Sequence, residues 1–471
     1  MAHPTAARRL ARFVAGLTLD DVPKPVATRA MLLALDTLGN ALAASGEEFG
    51  RAVLGVAARL GGPPESVLIG DGTKVAAANA VLANATLAHG LDFDDTREDA
   101  IVHTGCVAVT TALAVCEAVA ASGRAALEAL IAGVEVMCRV GLAVPGALHA
   151  RHFHPTAITG SFAATAAAGK LYRLTEDQLV HAFGICGSQA AGIIEYLADG
   201  SWTKRLHPGW AAHAGVVAVL LARSGFTGPE TVFEGAHGLY RAFAGGHDDA
   251  RLEALLESLD RAWELEQLTF KPYPCGSIAQ PYMDCALRLR EQHAIRPEQI
   301  VAVRCRTAAG PIPRLWEPLA AKYTPHNGYA AKFSLPYLVA VILVTGRAGL
   351  ADFTDEAVQD EAVLRVARQV TYELDETIDY PRHFVGDVQI TLADGRTIHE
   401  RQDGPRGGPD APLTRREIEA KFRGNAALAL SGPEVEQVIR GLAVLGTGAP
   451  LSGLVASLFP QSPGRRERSI P

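Results

Sequence analysis

The sequence predicts a mainly α fold, with a large all-helical domain and a smaller α+β domain, and three observations point there. From Asp20 to about Phe270, apolar residues recur at i, i+3, i+4 spacing, broken by Gly and Pro and almost free of alternating β-branched runs. Past Lys271-Pro272-Tyr273-Pro274 the period changes. There Ile300-Val301-Ala302-Val303-Arg304-Cys305-Arg306 alternates in twos, as a half-buried strand does. After the Gly- and Pro-crowded stretch Asp403–Pro412, the capping box Thr414-Arg415-Arg416-Glu417 restarts helix before Ile418 and Phe422. The expected organisation is a helical domain over 1–270, an α+β domain over 271–405, and a return to the helical domain over 406–471 that ends in a flexible tail, Ser462–Pro471.

Each element has its own reason. Leu10, Phe13, Val14 and Leu17 repeat at helical spacing, so Arg8, Arg9 and Arg12 read as the polar side of a first helix and not as a targeting segment. Helices follow at Pro25–Ala44, Ala76–Leu87, Val107–Ala121, Leu127–Val140, Thr156–Tyr172, Glu176–Ser188 and His207–Ser224. Thr175 is an N-cap with acids in the first turn, and Pro155 suits a first helical position. In the second domain, helices at Ile278–Gln292 and Lys332–Thr345 accompany strands at Val370–Leu374, Val385–Thr391 and Arg396–Arg401. The last two are joined across Ala393-Asp394-Gly395, a hairpin signal.

Composition narrows the function classes. With 471 residues, 48% apolar and 20% charged, the chain is a soluble globular protein with a large core. A net charge of −7 with no basic block argues against nucleic acid as a partner. No apolar run approaches the roughly 18 residues of a membrane span. Seven widely spaced cysteines suit buried, reduced thiols and hence the cytoplasm.

Chemistry concentrates in four places. The segment His89-Gly90-Leu91-Asp92-Phe93-Asp94-Asp95-Thr96, followed by Arg97-Glu98-Asp99 and His103, sets several carboxylates and two imidazoles in an otherwise apolar domain. It reads as a solvated helix end, as a magnesium-binding Asp box of isoprenoid-synthase type, or as a proton-transfer site. His152-Phe153-His154-Pro155-Thr156 puts His154 at a helix N-terminus, where an anion is favoured. In Thr203-Lys204-Arg205-Leu206-His207, Lys204 and His207 share a face if the segment is helical. Lys271 stands at the domain junction. Jointly these cations, imidazoles and acids are what a small polycarboxylate requires: cations for its carboxylates and a base for the proton beside one of them. A non-enzymatic helical scaffold is the bland alternative.

These segments, with His154-Pro155-Thr156 and Gly160, Thr203 to Gly209, Lys271-Pro272-Tyr273-Pro274, and the closing Pro412-Leu413-Thr414 and Lys421-Phe422, resemble the ordered signatures of the MmgE/PrpD family. The resemblance implies a homodimer whose smaller domain is a lid, with the active site between the domains and neither metal nor organic cofactor. It points to Asp92, His103, His154, Lys204 and Lys271 as catalytic positions and to Thr96 beside them. Thr156 and His207 are added as substrate-binding positions. The function expected is a dehydratase of the 2-methylcitrate type, a cofactor-independent hydro-lyase acting on a small hydroxy-polycarboxylate. An epimerase or a decarboxylase of the same family is the alternative. Cys275-Gly276-Ser277 stands where many relatives carry a His, and Ala308–Pro318 lacks the Tyr of the decarboxylases, which argues against cis-aconitate decarboxylase itself.

Overall fold

The computed structural model describes residues 4–380 and 383–461, and the expected tail at 462–471 lies outside them. The chain forms two compact units, Met1–Leu268 with Thr414–Pro471, and Thr269–Leu413. The first is all-helical apart from a two-residue antiparallel pair, Ser66–Val67 with Lys74–Val75, and the second is α+β. The sequence boundaries at 270 and 405 compare with 268 and 413 here. Phe270 N–H donates to Gly407 O at 3.1 Å and Gly407 N–H to Ala411 O at 2.7 Å, tying the Gly- and Pro-rich loop to the start of the second unit.

At the centre of the first unit, the Pro155–Leu171 helix is buried everywhere except at Lys170. It packs against Gly123–Leu142, Gly105–Ala118 and Thr203–Arg223. Small residues make this possible, because helix axes approach closely only where side chains are short. A Cβ on Gly209 would lie 2.2 Å from Leu82 O, and one on Gly215 would lie 2.5 Å from the Ala164 Cβ. The Thr203–Arg223 helix is thereby seated against both the Ala77–His89 and Pro155–Leu171 helices.

The sequence reading placed the start of that helix at His207. It begins at Thr203 and takes Pro208 inside. The proline falls early enough that the hydrogen bond it forgoes is the one to Lys204 O, in the first turn. Lys204 and His207 are therefore on one helix.

The C-terminal return is built by its caps. Thr414 Oγ1 accepts from Glu417 N, and Glu417 Oε2 accepts from Thr414 N at 2.8 Å, opening the helix Arg415–Ala426 along Lys24–Ser45. From it the buried Lys421 ammonium sits 2.7 Å from Asp36 Oδ1, donates to Phe93 O at 2.6 Å, and lies 3.8 Å from the Phe93 ring centroid. The loop between Asp92 and Asp94 is braced by this contact.

In the second unit four strands form a mixed sheet in the order Val370–Leu374, Ile300–Thr307, Gly386–Leu392, Thr397–Gln402. The first two are parallel and the other pairs antiparallel. The helix Gln280–Gln292 packs on the Gly386–Leu392 and Thr397–Gln402 strands, and the apolar helix Leu335–Thr345 packs against Gln280–Gln292. Lys271, among the first residues of this unit, is 1% exposed. Among the described residues no helix is long and apolar enough to cross a membrane.

Candidate functional site

The acidic segment His89–Thr96 is almost entirely buried, so its charges must be paired or hydrogen-bonded. The Ala77–His89 helix ends at His89 and the chain turns sharply, with Asp92 held at φ 56°. A left-handed conformation is uncommon for a non-glycine residue and tends to gather at functional sites. Asp95 then caps the next helix: its carboxylate accepts from Thr104 N at 3.0 Å, Thr104 Oγ1 at 2.6 Å and Gly105 N at 2.8 Å. Both Asp95 oxygens are thus engaged by donors, leaving the Asp run short of the bare oxygens a magnesium box needs. Burial, and then the neighbouring Asp94, push the Asp95 carboxyl up to about 7.

Asp94 is fully buried and lies between two imidazoles. Its Oδ2 accepts from His89 Nδ1 at 2.8 Å, and its Oδ1 is 3.5 Å from His103 Nδ1. His103 Nδ1 also donates to Asp95 O at 2.9 Å. In both rings an acceptor at Nδ1 fixes the neutral tautomer with the lone pair on Nε2. His103 is pinned from behind as well, since its backbone N–H donates to Thr156 Oγ1 at 3.1 Å. Thr156 is fully buried, and its hydroxyl positions His103.

His154 precedes Pro155 at the N-terminus of the central helix, as the sequence indicated. Its Nδ1 is 3.1 Å from the Nδ1 of His207, so one nitrogen donates and the other accepts, and the two rings hold at most one extra proton between them. Burial first, and then the nearby His89 and Lys204, depress both pKa values, that of His207 to about 4. The His154 ring centroid lies 5.6 Å from that of His89 and 6.4 Å from that of His103. Lys204 Nζ donates to Asp92 Oδ2 at 3.1 Å, with both side chains mostly buried. Thr96 is 6% exposed and its Oγ1 has no hydrogen-bond partner among the described residues, an arrangement that favours a polar ligand.

Asp92, Thr96, His103, His154, Thr156, Lys204 and His207 thus belong to one neighbourhood of the first unit, whereas Lys271 belongs to the second. Sequence reasoning did not select His89 and Asp94, although both lie in the segment it singled out. It also missed Tyr196, whose ring stands edge-on to His154 and His207 at 6.1 and 5.8 Å. Metal-capable nitrogens are present too, because one ring nitrogen from each of His89, His103 and His154 lies within 4.8 Å of the others.

The pKa directions predict how stability depends on pH. Unfolded His154 and His207 bind a proton near 6.5, whereas the folded forms resist it. Stability from these two groups is therefore present above about 6.5 and is lost as pH falls, for His207 down to about 4. Asp95 has the opposite sign, because the folded state keeps a proton that the unfolded state releases near 3.9, so its contribution disappears as pH rises through about 7. Replacing His207 with Gln should therefore make the fall in melting temperature between pH 6.5 and 4 shallower by calorimetry. A variant whose melting temperature falls as steeply as the parent's over that range would contradict this assignment.

Comparison with known proteins agrees with the sequence signatures. Residues 8–252 match the MmgE/PrpD N-terminal domain and residues 273–443 match the MmgE/PrpD C-terminal domain. A cis-aconitate decarboxylase-like protein of Aspergillus oryzae is 27% identical over 95% of this chain and 96% of its own. The cis-aconitate decarboxylase of Mus musculus is 27% identical over 91% of this chain and 88% of its own. A 2-methylcitrate dehydratase-like protein of Aspergillus oryzae is 30% identical over 38% of each chain.

Proposed function

The chain belongs to the MmgE/PrpD family, and from that premise we propose that it is a lyase that eliminates water from a small hydroxy-polycarboxylate after removing a proton next to a carboxylate. The observation behind this reading is the Lys204–Asp92 pair set beside four imidazoles in a largely buried cluster. Lys204 receives a substrate carboxylate and stabilises the enolate-like charge that develops, a role that fixed cations fill best away from water. His103, with its lone pair directed to Nε2, takes the proton. The C–H electrons become the new double bond as the C–O bond breaks. The proton returns through the imidazoles to the departing hydroxyl, so water leaves and no cofactor is consumed. Thr96 supplies a hydroxyl to the substrate and Thr156 holds His103. Lys271 enters the proposal by its motif as a second carboxylate-binding cation.

A decarboxylase is the second reading, favoured by relatives of that name that match along nearly the whole chain. Loss of carbon dioxide leaves the same kind of carbanion, which must then be protonated. Purified protein incubated with citrate, methylcitrate, cis-aconitate and related acids in D₂O, followed by proton NMR and carbon dioxide release, separates the readings. A new vinyl signal without gas is the expected outcome. Gas with a deuterated product selects the decarboxylase, deuterium uptake alone selects an epimerase, and silence across the panel counts against all three.

The proposal includes a homodimer in the cytoplasm. Trp202, Leu206 and Trp210 stand 43%, 41% and 45% exposed at i, i+4, i+8 on one helix face, a costly arrangement unless a partner covers it. Light scattering that returned the mass of a single chain would remove the dimer. All seven cysteines are buried and free, which suits a reducing compartment.

A further inference from the structure

We propose that His89, His103 and His154 form a binding site for a divalent transition cation of the zinc class, and that an ion held there blocks turnover. The binding half stands on geometry alone, while the inhibitory half rests on the lyase reading above.

The first argument is convergence. One nitrogen from each ring lies within 4.8 Å of the other two. Three points at that spacing lie within about 2.8 Å of their common centre (4.8 Å divided by √3). Inward movements of under about 1 Å bring them to the zinc–nitrogen distance of roughly 2.0–2.1 Å.

The second argument is orientation. Metal-bound imidazoles almost always donate their other ring N–H to a carboxylate or a backbone carbonyl, which fixes the tautomer and aims the lone pair at the ion. His89 does this with Asp94 Oδ2 at 2.8 Å and His103 with Asp95 O at 2.9 Å. His154 engages His207 through Nδ1.

The third is an unmet need. His89 is 2% exposed, and its Nε2 has no hydrogen-bond partner among the described residues. A buried ring nitrogen in that state is stabilised by whatever cation or donor reaches it.

The ligand set also says which ions fit. Three imidazoles suit zinc and its neighbours, whereas magnesium and calcium require oxygen. An ion bound here takes up the lone pairs through which the proposed reaction moves its proton.

The test is calorimetric titration of chelator-stripped protein with zinc chloride and, separately, magnesium chloride near pH 7. One zinc per chain at micromolar affinity or tighter is expected, with no heat from millimolar magnesium. His89→Gln and His154→Gln, each checked for an unchanged melting temperature, should weaken zinc binding at least tenfold. Zinc that fails to bind at 100 µM, or that binds both variants as tightly as the parent, overturns the site. Should zinc bind while no acid of the panel reacts, the site stands and the lyase reading falls. If turnover is found and persists with zinc bound, the lyase reading stands and the inhibitory half falls; recovery on adding EDTA is the expected result.

Discussion

An Asp94→Asn protein is expected to melt within a few degrees of the parent and to turn over about 10³–10⁴ times more slowly. That is the scale seen when a buried carboxylate that fixes an imidazole tautomer becomes an amide. The reason is that one carboxylate serves two rings, with His89 Nδ1 at 2.8 Å and His103 Nδ1 at 3.5 Å. Asparagine presents an NH₂ where one ring needs an acceptor, so that ring either flips or moves its proton to Nε2 and loses the lone pair assigned to the chemistry. Steady-state kinetics with the panel substrate should show the loss in kcat more than in KM. An Asp94→Asn enzyme within threefold of the parent would remove His103 and His89 from the proton path.

Lys204→Met should reduce kcat/KM by about 10²–10³, the usual cost of deleting one preorganised group that meets developing charge. Methionine keeps much of the apolar stem, so packing along the first turn of the helix survives. What disappears is the ammonium 3.1 Å from Asp92 Oδ2. Because both side chains are mostly buried, the variant also leaves Asp92 without this cation, and a stability loss of about 1–3 kcal/mol follows. Lys204→Met with Asp92→Asn should recover that stability by thermal melting while activity stays low. Recovery of activity in the double variant would assign the pair a structural role and no other.

What the sequence made legible was what local rules control. Thr175, Pro155 and Thr414 mark helix starts because a cap or a missing N–H acts within one turn, and all three are found at helix starts. The period-two run at Ile300 was readable because alternation is a property of the strand itself. At Pro208 local reasoning fell short, since the one hydrogen bond the proline forgoes is that to Lys204 O in the first turn, and the helix begins at Thr203. The seven candidate residues of the first unit were picked out by residue type and resemblance, whereas His89, Asp94 and Tyr196, which lie among them, were not. Their importance lies in burial, tautomer and ring approach, all set by helices far apart in sequence. Thr156 is the converse case: its type suggested contact with a substrate, and its depth gives it to the His103 backbone.

The brace at Lys421 has a consequence for biosynthesis. The acidic loop is complete by residue 96, yet the ammonium that grips Phe93 O and Asp36 is translated more than three hundred codons later. A nascent chain therefore carries the loop without this brace through most of its synthesis. An expression clone trimmed at residue 268 lacks the Thr414–Pro471 part of the first unit and should yield a helical fragment whose acidic loop is missing its Lys421 contact.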